Sequence, residues 1–159
     1  MNHKSNKPSV LFVTAHTDDV AFYMGGTAKL LQPDYDIHSF CLSRGERGYV
    51  WDGEGMPPPN VPLGEQRSQE ERDSAALIDA QLRLFDLPDG EIFAGEEICR
   101  EIGAAIKALA PVAIFAMGPY EKPDHAACFQ ITRHALYLSG RFWETEFYTN
   151  ITIGEKLKI

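Results

Sequence analysis

Cysteine is scarce in this 159-residue chain: Cys41, Cys99 and Cys128 are odd in number, lie far apart and form no CxxC pair. That excludes a disulfide framework. Each lies in an apolar segment, which points to reduced, buried thiols in a cytoplasmic protein. No apolar run reaches the ~18 residues of a membrane span. The polar opening MNHKSNKPSV lacks the apolar core of a secretory signal, so residues 1–8 read as a loose tail. Lysine and arginine form no basic cluster and the formal charge is -8, which argues against non-specific binding to nucleic acid. Gly25, Gly26 and Thr27 lack the lysine and spacing of a phosphate loop, and the first turn carries no G-x-G-x-x-G. Internal repeats and low-complexity tracts are missing too.

What remains is the composition of one ordinary globular domain, residues 1–159, with 44% hydrophobic and 24% charged residues. The run SVLFVTA (9–15) reads as a strand buried on both faces. VAFYMGGTAKLL (20–31) recurs at helical spacing, with Phe22, Gly26 and Leu30 on one side and Asp18 or Asp19 as cap. A second strand follows at 35–43, then a long loop of glycine and proline from Arg44 to Glu65. A helix over 65–80 carries Ala75, Ala76 and Leu77, and QLRLFDL (81–87) is a strand. Residues 95–110 form an amphipathic helix with Ile98, Ile102, Ala105, Ile106 and Leu109 inward, stopped by Pro111. A strand at 112–117, a helix from about His125 to Leu138 and a last strand in EFYTNITI complete the series. The alternation predicts an α/β fold with a mostly parallel central sheet between two helical layers, a Rossmann-like three-layer sandwich. Ligands in such folds bind beyond the carboxyl ends of the strands.

Two loops at that edge hold the chemistry: AHTDD after the first strand and KPDH after the fourth. A hydrolytic zinc site uses three protein ligands of histidine and carboxylate type and leaves one position open. His16, Asp19 and His125 can supply that set, and Asp18 then stays free as general base. Taken alone, HTDD reads more readily as a helix-capping turn, and His125 as a helix-start histidine. Asp124 either orients His125 or caps its helix. Cys128, one turn after His125, reads as a core thiol. Arg67 has a bland alternative in i,i+4 pairing with Glu71, and Glu46 in a solvated charge. Tyr49 and Trp51 either stack on a ligand or anchor the long loop. His3, His38 and His134 match no pattern.

In this order, AHTDD, GGTAKLL, SRGERG, RSQEERDSAAL, LPDG and KPDHAA resemble the landmarks of the LmbE-like, or PIG-L, N-acetylglucosaminyl deacetylases. The resemblance spans about residues 9–135. It implies a zinc-dependent (Zn2+) enzyme that removes an acetyl group from an amino-sugar glycoconjugate. His16, Asp19 and His125 would bind the metal, Asp18 would take the proton from the attacking water, and Arg67, Asp89 and Glu46 would meet the sugar.

Two positions depart from the family pattern. Thr17 stands at the usual proline, which frees the turn's φ but keeps every ligand. Lys122 stands at the first histidine of H-P-D-H, the group that stabilises the oxyanion or protonates the leaving amine in the family. A lysine can donate to an oxyanion and, buried beside zinc, give up a proton. Pointing to solvent, it would leave a catalytically weak metal- and sugar-binding module. Relatives commonly continue for several dozen residues past this helix, so the expected site is more open, walled by a neighbouring subunit of a homo-oligomer, or reduced.

Overall fold

The computed structural model describes residues 6–48, 61–119 and 122–149. Its elements run β1 (Ser9–Thr14), a π-helical turn (Val20–Met24) leading into α1 (Gly25–Leu31), β2 (Asp36–Ser43), α2 (Val61–Leu77), β3 (Gln81–Leu87), α3 (Glu96–Leu109), β4 (Ala113–Ala116), α4 (Pro123–Leu138) and β5 (Glu146–Thr149). The five strands form one sheet in the order β3-β2-β1-β4-β5, and every pair is parallel. The order reverses between β1 and β4, the switch point at which such sheets open a crevice. By the right-handed rule for parallel crossovers, this order puts α1 and α2 on one face and α3 and α4 on the other, and α3 packs closely on α4 at Gly103. The expected α/β layers are thus observed, with a wholly parallel sheet.

The central strand β1 shows why the buried run reads without alternation: Val10, Leu11, Phe12 and Val13 are all buried, because helices cover both faces. Each such side chain contributes roughly 1.5–3 kcal/mol on burial. On the α3 side, Ile98, Ile102 and Ile106 are buried, as their helical spacing predicts, with Ala105 and Leu109 partly buried against them. The α3 helix ends at Ala110, whose left-handed φ of 48° lets its N–H donate to Ile106 O just before Pro111.

Three expectations change. The Phe22–Gly26–Leu30 stripe faces solvent, while Val20, Met24, Ala28 and half-buried Leu31 face the sheet. The π-helical turn has more residues per turn than an α-helix, so periodicity counted from Phe22 selects the wrong side. In α2 the inward line is Gly64, Ser68, Glu71 and Ala75, continued by Ile78 just past the helix, and Leu77 is exposed. The helix also starts at Val61, earlier than Glu65, which shortens the long loop. Tyr49 and Trp51 lie outside the described residues.

Candidate metal centre

The turn after β1 is built around Asp19. Its Oδ2 accepts the backbone N–H groups of Ala15 (3.0 Å) and His16 (2.9 Å). The carboxylate therefore reaches back across the turn and makes no side-chain cap to the helix it precedes. Asp19 Oδ1 lies 3.3 Å from His125 Nε2, and His16 Nδ1 lies 3.6 Å from Asp19 Oδ2. The two imidazole centroids are 5.2 Å apart, and Tyr23 meets His125 edge-on. Ligand atoms of His16, Asp19 and His125 all fall within 4.8 Å of one another. The first turn of α4 brings His125 to β1 because β4 pairs directly with it.

The other nitrogen of His16 faces a second set of acids. Nε2 is 3.1 Å from Asp124 Oδ2 and 3.3 Å from Asp89 Oδ1. Asp124 also accepts the N–H groups of Gly90 (2.6 Å) and Ile92 (3.3 Å), which fastens the loop after β3 to α4. Asp124 thus orients His16, across 108 residues, rather than His125, and it caps nothing. Such a carboxylate–histidine pair leaves Nδ1 free for a cation. His16, Asp89 and Asp124 also lie close enough together to offer three ligand atoms. Here, however, Asp124 accepts backbone N–H groups on both oxygens and Asp89 Oδ2 accepts that of Arg47 at 2.9 Å, whereas Asp19 takes both of its backbone N–H groups on Oδ2 and turns Oδ1 to His125.

Electrostatics agree with a cation at the first triad. Burial opposes a charge on His16, yet Asp124, Asp19 and Asp89 together raise its pKa to about 11. Burial likewise opposes the Asp19 carboxylate, and His125 and His16 override it, holding its pKa well below the usual range. A buried carboxylate between two imidazoles, with the third side organised by Asp124, is a donor set that suits a divalent metal. A metal held by His16 would take the place of its proton, so uptake would release protons.

A cavity of about 390 Å³ opens beside the triad, lined by His16, Asp18, Arg47, Gly48, Arg67, Asp89, Gly90, Lys122, Pro123 and Asp124. The predicted residues Asp18, Arg67, Asp89 and Lys122 therefore share one space with His16. Glu46 does not line it; its Oε1 accepts the Asp89 N–H at 2.9 Å and so braces the loop after β3. Arg67 pairs with Glu70 (3.1 Å) rather than Glu71. Cys128 is a buried thiol whose Sγ is 3.5 Å from Val13 O, and burial pushes its pKa up. All three cysteines are free and buried. Sequence reasoning missed Glu71, which is buried on α2 with Oε2 unpartnered. Burial and the charges of Asp19 and Asp18 raise its pKa to about 8.

A 4-oxalmesaconate hydratase of Pseudomonas putida is 26% identical over 141 residues, covering 84% of this chain and 54% of its own length. The N,N'-diacetylchitobiose deacetylase of Pyrococcus horikoshii superposes with a TM-score of 0.73 at 23% identity, over 84% of this chain and 51% of that one. A deacetylase solved with teicoplanin gives a TM-score of 0.61 at 14% identity, over 84% and 66%. These two superpositions show a shared fold. The chain spans about half the length of the hydratase and of the chitobiose deacetylase. The PIG-L profile, described as GlcNAc-PI de-N-acetylase, matches residues 11–136, and the chain belongs to the PIG-L family.

Proposed function

We propose that the protein is a zinc-dependent hydrolase that removes an acetyl group from an N-acetylated amino sugar. The observation that carries this reading is the convergence of His16, Asp19 and His125 at the switch point, with Asp18 lining the same cavity. Zinc is the metal that a mixed histidine–carboxylate triad with an open position favours. Held there, it supplies Lewis acidity, lowering the pKa of water and polarising the amide carbonyl.

The chain's own residues do the rest. Asp124 keeps His16 oriented, and the two backbone N–H groups keep Asp19 in place. Asp18 takes the proton from the attacking water. Lys122 immediately precedes the first turn of α4, where the helix N-terminus adds positive character; it donates to the developing oxyanion. The amine departs with the proton collected by Asp18, leaving acetate. Arg67 and Asp89 contact the sugar.

Protein purified without chelators should carry stoichiometric zinc, and His16→Ala should lose it. Asp18→Asn should retain the metal while acetate release from N-acetylglucosaminides falls by about 10²–10⁴-fold. A metal-free native protein, or an Asp18→Asn variant of full activity, would sink the proposal.

The hydratase relative supports a second reading, water addition at the same centre; product analysis on hydratase and N-acetyl substrates separates the two. A weakly active metal- and sugar-binding module would bind zinc, release no acetate and gain rate with Lys122→His. Loss of a measured activity in Lys122→Ala would remove that module reading.

A further inference from the structure

The chain has 15 basic residues against 23 acidic ones, yet Arg47, Arg67 and Lys122 all line the one cavity beside the metal centre. Its acids are already committed: Asp89 and Asp124 flank His16 and accept backbone N–H groups, and Asp18 is the base. The other charged side chains of the wall, Arg47, Arg67 and Lys122, are cationic.

Arg47 is tied to this wall rather than free on the surface. Its backbone N–H donates to Asp89 Oδ2 (2.9 Å), the carboxylate whose other oxygen meets His16. Its side chain is 20% exposed, and Nη2 is held 2.6 Å from the exposed Glu91. Arg67 runs along the turn from Gly45 to Gly48: a Cβ on Gly48 would lie 3.8 Å from its Nε and 4.0 Å from Nη2. The Arg67 side chain thus lies within van der Waals reach of Gly48, the residue that follows Arg47. Arg67 is also anchored on one side, by exposed Glu70. Each guanidinium has five N–H donors in a planar fork, and one glutamate contact leaves most of them available.

We infer that Arg47 and Arg67, astride Gly48, clamp an anionic oxyacid group, carboxylate or phosphate, carried by the substrate away from the bond that breaks. Guanidinium forks match both groups through paired, charge-assisted hydrogen bonds. The clamp deepens the proposed hydrolysis and rests on it only for the identity of the rest of the substrate. Arg47 is its specificity-determining residue.

Calorimetric titration of the zinc-loaded protein with N-acetylglucosamine, N-acetylglucosamine 6-phosphate and N-acetylmuramic acid supplies neutral, phosphate and carboxylate arms. One of the anionic compounds should bind about tenfold or more tighter than the neutral one, and the better arm identifies the oxyacid. Arg47→Gln should cut that ratio by about fivefold or more, Arg67→Gln should act in the same direction, and Arg47→Lys should restore part of it. A ratio near unity in the native protein, or one that Arg47→Gln leaves intact, overturns the clamp. Acetate release measured on the same compounds keeps the two ideas apart. Anion preference without acetate release retains the clamp and removes the deacetylase; acetate release with equal affinities does the reverse.

Discussion

Glu71 carries a proton that the unfolded chain would have released. A glutamate ionises near 4.5 in the open chain, whereas burial and the neighbouring Asp19 and Asp18 hold Glu71 protonated up to about pH 8. Its contribution thus favours the fold below about pH 4.5 and is lost as pH rises towards 8. In chelator-treated protein, the unfolding free energy of Glu71→Gln should nearly match the native value at pH 5 and exceed it at pH 9, by about 2–5 kcal/mol. Equal melting curves at pH 9 would refute this. His16 is a raised base: its contribution is full below pH 6.5 and fades towards pH 11. Asp19 behaves oppositely, contributing above its ordinary 3.8 and losing that as pH falls. Histidines and doubled aspartates in loops at a strand edge are legible in a sequence, because their types and spacing state the chemistry. Glu71 was illegible for the converse reason. Among the charges of RSQEERD, no spacing rule separates the one inward acid from its solvated neighbours.

Elements were legible to the degree that their burial is uniform. The central strand β1, covered on both faces, reads as an unbroken apolar run; the edge strand β3 is largely exposed, yet Gln81–Leu87 also begins and ends where expected. The amphipathic α3 was equally plain, since its three buried isoleucines repeat every four residues. The helix after β1 spans 20–31 as expected, but its packed side differs because a π-helical turn shifts the phase, and nothing in VAFYM announces one. Packing between elements is also hidden. At Gly103 an added Cβ would lie 3.0 Å from Ala135 O and 3.4 Å from Leu138 Cβ, so this glycine sets the close approach of α3 to α4. Gly103→Val should lower the denaturant-unfolding free energy by about 1–3 kcal/mol, with the metal content of the folded protein unchanged. A variant as stable as the native protein would show that the two helices separate freely.

For the molecule as a whole, the metal centre is the point at which distant segments meet: the turn after β1, the loop after β3 and the start of α4. A cation that binds only this assembled form stabilises it by mass action, by about 2.7 kcal/mol at a hundredfold excess over Kd. Chelation should therefore lower Tm of the native protein and leave that of His16→Ala where it is; equal shifts in both would place the effect elsewhere.

The long span between the two halves of the centre has a consequence for biosynthesis. A nascent chain that has emerged only as far as β3 already displays His16, Asp18 and Asp19, but Asp124 and His125 are still to be made. Domains fold as they leave the ribosome, and here His125, the third proposed ligand, arrives with α4, the last helix among the described residues. On the proposed reading, a chain that stops before α4 lacks the complete triad and should hold zinc more weakly than one that includes it.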